Sequence, residues 1–276
     1  MTTGDLAQTP DMQALKVRLK ATWESGDYGL FAKYLEPNAL VFLRELNLKP
    51  GERLLDIACG AGQIVIPASR SGIDATGVDI AANLIQQARG RAETEDLSAH
   101  FDEGDAESLP YPDASFDVVS SLIGAMFAPR PDRVAAELLR VCMPGGRIVL
   151  ANWTPEGFVD GMLRVMGQHV FPSPLMPSPM LWGKEDTVRE RLGAGVQSLQ
   201  FERVNYPLVY PFGPVEVVEF FRSLYGPTNH AFAGLDGGGQ SALRADLEAY
   251  WTTHNQGSDA QTTVPAELLV VHAIRA

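Results

Sequence analysis

Residues 54–63 read Leu-Leu-Asp-Ile-Ala-Cys-Gly-Ala-Gly-Gln and decide the fold that we predict for this chain. Apolar residues lead into an acidic residue, small residues and a Gly-x-Gly follow, and an apolar run covers residues 64–68. This order predicts a strand, a tight loop and the first turns of a helix. Glycines let such a loop adopt positive φ and let a ligand lie against bare backbone, while the free N–H groups of the helix start face the loop. The stretch is typical of a loop that binds a nucleotide-type cofactor.

The same stretch lacks one position of the dinucleotide-binding fingerprint. That fingerprint needs a third glycine or alanine three residues after the second one, where helix and strand pack closely. Val65 occupies this position here. Its branched side chain disfavours a dinucleotide, so the identity of the cofactor depends on features at fixed distances downstream.

A second predicted strand ends in an acidic residue. Residues 72–79 read Gly-Ile-Asp-Ala-Thr-Gly-Val-Asp, and Asp79 lies 17 positions beyond Gly62. A strand-end carboxylate about 20 residues after the glycine loop is the group that receives ribose hydroxyls. The alternative is that Asp79 is the N-cap of a helix that starts at Ala81. The two roles are compatible, because an N-cap lies at the same rim of the sheet as the ligand.

Together with three further motifs, this pattern resembles the class I S-adenosylmethionine (SAM)-dependent methyltransferases. The family motif is an acidic residue, then a glycine two positions later, then the Gly-x-Gly. In this chain the acidic residue is Asp56, and Ala58 stands where the family has the first glycine. The further motifs are Gly-Asp-Ala at 104–106, a turn into a fourth strand over 112–121, and Pro-Gly-Gly at 144–146. The resemblance covers about residues 50–155. Its nearest group is the ubiquinone/menaquinone-methyltransferase-like one, which serves many small molecules.

The resemblance implies an α/β fold with a Rossmann-like, doubly wound, seven-stranded sheet. The sheet is expected to be mostly parallel with the last strand antiparallel, accompanied by N-terminal helices and an inserted helical lid. We expect an N-terminal helical lid (1–48), a SAM-binding core (49–155), and a remainder (156–276) with substrate-side segments, lid helices and the final strands. Within the remainder, the apolar spacing predicts helices over 214–224 and 239–255 and a strand over 267–275.

The implied cofactor is SAM, and the implied product is S-adenosylhomocysteine (SAH). The resemblance implies that Asp56, Ala58, Gly60 and Gly62 bind the methionine portion of SAM. It assigns the ribose and adenine to Asp79 and Ile80. It assigns the edge of the adenine to Asp105 and Ala106, and the sulfonium to Ser121. Tyr28 is a candidate for a lid over the cofactor. The implied substrate-side residues are Gly124, Met126, Phe127, Asn152 and Trp153.

The catalytic residues are unknown at this stage. Methyl transfer from a sulfonium is an in-line displacement with a neutral thioether as leaving group, so the protein mainly has to align the reactants and exclude water. An oxygen or nitrogen nucleophile would benefit from a general base. The weak candidates are His169 and His230, although such histidines more often have packing or surface roles. The sequence shows no metal-ligand cluster and no Asn-Pro-Pro-Tyr or Asp-Pro-Pro-Tyr tetrapeptide, which disfavours a cation-assisted catechol enzyme and amino-methylation of bases or of glutamine.

Residues 171–183 are apolar, Met-containing and rich in proline, so they cannot form a regular element. One interpretation is a wall of an apolar acceptor pocket, formed by residues about 165–182 together with the helices between 214 and 255. The other is a connector packed on the edge of the sheet. The sequence favours neither.

The formal net charge of the 276-residue chain is −12. Phosphate repels such a protein, which disfavours DNA, RNA and anionic membranes as partners. Cys59 and Cys142 show no disulfide-framework or metal-type spacing, so we expect reduced thiols. No apolar run approaches membrane-spanning length. We expect a cytoplasmic monomer or homodimer with a small-molecule acceptor and without nucleic acid or membrane insertion.

Three functions remain open from the sequence. The first is a SAM-dependent methyltransferase that acts on a small, fairly apolar metabolite. The second is a protein of the same fold that binds SAM without transferring methyl, as a sensor or for another reaction. The third is an NAD(P)-dependent oxidoreductase, which Val65 and the lack of a Tyr-x-x-x-Lys pair after the fourth strand disfavour.

Overall fold

A seven-stranded sheet forms the centre of the computed structural model, which describes residues 9–276. Its strands are β1 (Arg53–Ile57), β2 (Asp74–Asp79), β3 (His100–Glu103), β4 (Phe116–Leu122), β5 (Cys142–Trp153), β6 (Val196–Asn205) and β9 (Glu267–Arg275), in the order β3-β2-β1-β4-β5-β9-β6. The pairs among β1 to β5 are parallel, whereas β9 is antiparallel to both β5 and β6. The predicted fold class is confirmed, including the antiparallel last strand.

The strand order reverses between β1 and β4. In the register of these strands, Asp56 of β1 lies beside Gly77 of β2 on one side and Ser120 of β4 on the other. In open α/β sheets, ligands bind in the crevice outside the carboxyl ends of the strands at such a reversal. The topology therefore brings the end of β1, Asp79 at the end of β2 and the segment after β4 to one rim.

Four helices connect the strands: α4 (Val65–Arg70), α5 (Ala82–Thr94), α6 (Pro131–Val141) and α8 (Glu185–Leu192). The longest of them, α5, buries Leu84, Ile85, Ala88 and Ala92, a spacing that places the four side chains on one helix face. None of the helices within residues 9–276 is both long enough and apolar enough to cross a membrane.

The remaining elements form what we call the cap. They are α1 (Pro10–Glu24), α2 (Tyr28–Ala32), α3 (Glu36–Glu45), α7 (Phe158–His169), α9 (Pro214–Leu224), α10 (Gly226–Ala233), α11 (Gly237–His254), and an antiparallel ribbon of β7 (Leu208–Tyr210) and β8 (Thr262–Val264). The predicted helices over 214–224 and 239–255 correspond to α9 and α11.

The cap combines the N-terminal helices with the inserted segment through close backbone contacts. Asp27 N donates to Leu224 O at 3.1 Å, and a Cβ placed on Gly226 would lie only 2.1 Å from Thr22 O. The ring of Phe31 in α2 stacks on Tyr225 with centroids 5.0 Å apart. The expected boundaries near residues 48 and 155 remain predictions, and residues 1–8 of the first expected segment lie outside the described part.

The proline-rich stretch packs along β5. It ends in a 3-10 turn over Pro179–Gly183 that buries Met180 and Trp182, and a Cβ on Gly183 would meet Trp153 O at 2.1 Å. Its first residue, Phe171, is 85% exposed. The stretch has the geometry of a connector along the sheet.

Candidate active site

One cavity of about 160 Å³ lies between the carboxyl rim of the sheet and the cap. It has two kinds of wall. We call the strand-end residues around Asp56, Gly60, Asp79 and Asp105 the polar wall. The aromatic wall consists of Trp23, Tyr28, Phe31, Phe127, Trp153, Tyr206, Tyr210, Phe221 and Tyr225. The two walls belong to the same cavity, so molecules bound on them would share one enclosed space.

The glycine loop after β1 adopts the backbone conformation that its sequence predicts. Gly60 has φ of 55° and Gly62 has φ of 83°, values that glycine reaches without steric cost. Gly62 also allows close packing, because a Cβ there would lie 3.0 Å from Ile66 Cγ1 and 3.1 Å from Phe101 Cζ. Gly60 and Ala58 line the cavity, whereas Gly62 does not, which gives Gly62 a packing role behind the loop.

Ala58, where the family pattern has glycine, also has a positive φ of 55°. Its Cβ is accommodated because the facing residue is Gly124: a Cβ on Gly124 would lie 2.4 Å from Ala58 Cβ and 2.6 Å from Ala58 O. A left-handed conformation at an alanine costs about 1 kcal/mol. The departure from the family pattern is thus tolerated through a neighbouring glycine that itself lines the cavity.

Asp79 ties the glycine loop to the next helix. Its Oδ2 accepts from Gly60 N and its Oδ1 accepts from Ala81 N, both at 2.9 Å. Burial raises the pKa of Asp79, while these backbone donors oppose the rise. The N-cap position of α5 belongs to Ala81. The expectation that Asp79 is the N-cap is therefore corrected: it binds the N–H of the N-cap residue and lines the cavity with Ile80.

Asp56 is a second buried carboxylate on the polar wall. Ser120 Oγ donates to Asp56 Oδ1 at 2.7 Å. Burial raises the pKa of Asp56 to about 7, the Ser120 hydroxyl opposes the rise, and the nearby charge of Asp79 adds to it. Such a pair of buried acids favours a cationic ligand, because a positive charge would compensate both carboxylates.

Gly104, Asp105 and Ala106 lie together at the end of the cavity next to β3. Asp105 Oδ1 accepts from Glu107 N at 3.0 Å, and its Oδ2 contacts Lys16 Nζ of α1. A Cβ on Gly104 would lie 2.7 Å from Val78 Cγ2, so glycine keeps the loop close to β2. The carboxylate of Asp105 is held by two partners and still faces the cavity.

Ser121 does not line the cavity. Its hydroxyl donates to Ile57 O at 2.7 Å and accepts from Ala125 N at 3.0 Å. The side chain is buried and joins β1 to the 3-10 turn over Ala125–Phe127. In this structure Ser121 positions the segment after β4, and direct contact of Ser121 with a cofactor stays a prediction.

Three rings of the aromatic wall gather around Trp23. Its ring centroid lies 6.1 Å from Tyr28, 5.3 Å from Phe127 and 5.9 Å from Tyr225, in edge-to-face arrangements. The ring of Tyr28 also covers the glycine loop, since a Cβ on Gly60 would lie 3.5 Å from Tyr28 Cε1. Tyr28 is therefore the point where the two walls meet.

The tyrosines supply the hydroxyl groups of the aromatic wall. Burial raises the pKa of Tyr28, Tyr206 and Tyr225, so these phenols are protonated at neutral pH and donate hydrogen bonds. Tyr206 Oη donates to Leu35 O at 3.4 Å. Tyr210 Oη is buried and has no hydrogen-bond partner among residues 9–276.

Of the expected substrate-side residues, Gly124, Phe127 and Trp153 line the cavity, whereas Met126 and Asn152 do not. Met126 is fully buried beside the cavity. Asn152 is 3% exposed, and its Nδ2 has no hydrogen-bond partner within the described chain. Contacts of Met126 and Asn152 with an acceptor remain predictions.

None of the five histidines, all of which lie within residues 9–276, lines the cavity. His169 Nε2 lies 2.8 Å from Asp246 Oδ2 and thereby joins α7 to α11. His230 lies in α10. The structure does not bring either candidate base to the cavity: His169 joins two helices, and His230 is exposed.

The expected pocket wall over residues 165–182 is also corrected, because none of these residues lines the cavity. Val159 and Met162 of α7 and Leu208 and Tyr210 of β7 line it instead, together with Phe221 of the expected helix α9. Lining residues that the sequence analysis did not assign to the site include Lys16, Phe31, Tyr206 and Tyr210. Phe31, Tyr206 and Tyr210 lie in apolar stretches of sequence, a signal that indicates burial and not the cavity.

The chain is similar to known methyltransferases in sequence and in fold. The family described as methyltransferase domain matches residues 55–150. The uncharacterized protein Rv1405c of Mycobacterium tuberculosis is 36% identical over 239 residues, covering 86% of this chain and 86% of that protein. The demethylmenaquinone methyltransferase of Deinococcus radiodurans is 38% identical over 124 residues, covering 44% of this chain and 52% of that protein. The solved structure of the YcgJ protein of Bacillus subtilis has a TM-score of 0.58 at 18% identity, covering 86% of this chain and 97% of that one, a likeness of fold.

Proposed function

Because this chain belongs to the class I SAM-dependent methyltransferase family, we propose that it moves a methyl group to a small, fairly apolar molecule bound on the aromatic wall. One observation carries this proposal: the polar and aromatic walls enclose a single cavity. A cofactor on the first wall would present its methyl group to an acceptor on the second without leaving the protein.

The polar wall has the donor and acceptor groups that SAM requires. SAM presents an ammonium group, two ribose hydroxyls and an adenine amino group, all of which donate hydrogen bonds. Asp56, Asp79 and Asp105 offer three carboxylates to the same cavity, and hydrogen bonds to carboxylates are among the strong ones. We assign Asp56, Ala58 and Gly60 to the methionine portion, Asp79 to the ribose, and Asp105 to the adenine edge, with Ile80 and Ala106 beside the ring.

When bound, SAM supplies a methyl group on a positively charged sulfur that departs as a neutral thioether. The work left to this chain is to hold the acceptor in line and to exclude water. Trp23, Phe127 and Tyr225 suit that task, because they cover the cavity with apolar surface. Their ring faces also attract a nearby cation.

The composition of the aromatic wall supports an acceptor with a large apolar surface and few polar groups. Leu35, Leu208, Val159 and Met162 fill the spaces between the rings. The polar groups that the wall adds are tyrosine hydroxyls and tryptophan indole N–H groups, which act as donors. We therefore favour an acceptor with one or two oxygen or nitrogen atoms that accept hydrogen bonds, over a charged metabolite.

We also propose a cytoplasmic location and a chain that acts as a monomer or homodimer without nucleic acid. The net charge of −12 supports the absence of a nucleic-acid partner, since phosphate is repelled. Cys59 and Cys142 are both free and buried, as expected for a reducing compartment.

The test is a turnover assay that measures SAH release from SAM with a panel of acceptors. The panel should contain apolar phenols, enols, amines and thiols, each matched with a charged analogue of similar size. We expect SAH release with an apolar member and at least tenfold less with its charged partner, because the aromatic wall has no charged side chain to pair with a buried charge. Asp79→Ala serves as the control for dependence on the cofactor site.

Two outcomes would overturn the proposal in different ways. SAH release only with the charged members would refute the apolar substrate class. Tight binding of SAM without SAH release from any member would favour a SAM-binding protein that does not transfer methyl.

A further inference from the structure

Lys16 stands out among the residues of the cavity because it is a lysine with only 9% of its surface exposed. Lysines are rarely buried unless they are paired. Lys16 lies in α1, far in sequence from the strands, and α1 brings it to the cavity beside Gly104 and Asp105.

The ammonium group of Lys16 contacts two carboxylates, Asp105 and Glu107. The side chain of Glu107 is completely buried. It also accepts hydrogen bonds from the backbone N and the Nε of Arg130, both at 2.7 Å. Within residues 9–276, two positive and two negative side chains pair in this cluster. Buried charges persist when they are paired in this manner, and removing one partner leaves another uncompensated.

The cluster fixes the orientation of Asp105. Its Oδ1 accepts from Glu107 N at 3.0 Å, and its Oδ2 is held by Lys16. A carboxylate has about four lone-pair positions, so Asp105 still has acceptor capacity toward the cavity that it lines. A donor on a ligand can thus be recognised by a carboxylate whose direction is already set.

We propose that Lys16 is a positioning residue for adenine recognition: it holds Asp105 ready for the exocyclic amino group of the cofactor and couples the docking of α1 to that contact. The proposal rests on the assignment of the adenine edge to Asp105 in the proposed function. It makes the N-terminal helix part of the selectivity for the base, in addition to its role as a cover.

The matched control residue is Lys20, one helical turn further along α1. Lys20 contacts Glu103 and lies 3.7 Å from Glu24, and it does not line the cavity. Replacing either lysine by methionine removes one positive charge from the same helix and keeps an unbranched side chain. A difference between the two variants therefore reports on Asp105 and not on the charge of α1.

The experiment is calorimetric titration of the full chain with SAH and with S-inosylhomocysteine, in which hypoxanthine replaces adenine and the amino group is lost. The wild-type protein should prefer SAH. We expect Lys16→Met to weaken SAH binding about tenfold, the size of one charged hydrogen bond, and S-inosylhomocysteine binding much less. Lys20→Met should keep the wild-type ratio of the two dissociation constants.

Two further variants keep the test decisive if Lys16→Met folds poorly. Lys16→Arg retains the charge and should retain most of the preference for SAH. Asp105→Asn should lower the preference, and adding Lys16→Met to it should produce no further change in the ratio, because both act through one contact.

If Lys16→Met weakened the binding of both ligands equally, the ratio of the two dissociation constants would not change. That result would refute the positioning role and leave Lys16 a structural residue. So would independent effects of Lys16→Met and Asp105→Asn on the ratio. If the wild-type protein bound neither ligand, the cofactor site of the proposed function would itself be wrong, which is a separate failure.

Discussion

The two walls of the cavity are built in different ways. The polar wall comes largely from one stretch of chain, residues 56–106, and backbone contacts such as Gly60 N and Ala81 N with Asp79 set its geometry. The aromatic wall is assembled from side chains of distant segments, for example Trp23, Phe127 and Tyr225. In the proposed function, cofactor binding then depends mainly on local structure, with Lys16 of the cap as the exception, whereas acceptor binding depends on how the cap packs. Changes to the two walls should have separable effects.

The largest expected effect is on the polar wall. Asp79→Ala removes the carboxylate proposed to bind the ribose and leaves Gly60 N and Ala81 N without their acceptor. We expect SAM and SAH to bind about 1 to 3 kcal/mol more weakly, as for the loss of a charged hydrogen-bond partner. Calorimetry at a temperature where the variant remains folded measures this.

Asp117→Ala is the matched control, because it also removes a carboxylate that accepts from a backbone N–H. Asp117 lies at the amino ends of the strands, away from the cavity. Asp117 Oδ2 accepts from Arg53 N at 2.9 Å where β1 begins. Its loss should leave SAM affinity unchanged. Equal affinities for wild type and Asp79→Ala would remove Asp79 from the cofactor site.

A second effect on the polar wall depends on pH. Burial raises the pKa of Asp56 to about 7, and a cationic ammonium group of the ligand pairs with the ionised form. SAH affinity should therefore fall about tenfold from pH 8 to pH 6, as protons compete for one group. Titrations across this range measure the change, and in Asp56→Asn the affinity should be weak and independent of pH.

The stability of the ligand-free protein should have the opposite dependence on pH. The pKa of Asp56 is higher in the folded state than the usual value of about 3.9 in unfolded chains, so the folded state binds more protons between these values. The contribution of Asp56 to the free energy of unfolding then increases as pH falls from 7 toward 4. Urea unfolding gives the difference in free energy of unfolding between wild type and Asp56→Asn. If this difference did not change between pH 7 and pH 4, the raised pKa of Asp56 would be contradicted.

The smallest expected effect is on the aromatic wall. Tyr210 Oη is buried and has no hydrogen-bond partner within the described chain, and an unsatisfied buried hydroxyl costs free energy. Tyr210→Phe should raise the free energy of unfolding by about 1 kcal/mol, with no change in SAH affinity. Urea unfolding measures the first quantity and calorimetry the second.

Tyr206→Phe is the comparison for this variant, because Tyr206 Oη donates to Leu35 O at 3.4 Å. It should be slightly destabilising. A Tyr210→Phe variant that is less stable than wild type would show that the hydroxyl has a partner, and a loss of SAH affinity would show that the two walls are not separable.

Local patterns predicted the glycine loop and the strand that ends at Asp79, and the family resemblance supplied the sheet topology and the other residues of the polar wall. Gly60, Gly62 and Asp79 lie at spacings that follow from strand, turn and helix geometry, and the structure places all three as one unit. Helix α10 could not be predicted in the same way. Gly226-Pro227 is typical of a turn, but a proline is also accepted in the first turn of a helix, where its missing N–H is not needed.

The aromatic wall and Lys16 could not be derived from spacing. Lys16 meets Asp105 across 89 positions of chain, and Tyr225 meets Trp23 only because the backbone of Gly226 packs on α1. The proline-rich stretch shows the converse: its composition suits a pocket wall, but Trp182 is buried along β5 with Arg191 over its ring. Composition indicates burial, and tertiary contacts decide what the residue is buried against.

Thermal unfolding in the presence of SAM, SAH or NADPH, each added separately, tests the central claim most directly. A ligand that binds only the folded state stabilises it by about 2.7 kcal/mol at a hundred times its dissociation constant. We expect SAM and SAH to raise the unfolding midpoint and NADPH to leave it unchanged. A rise with NADPH alone would contradict the central claim, because the glycine loop with Val65 would then bind a dinucleotide.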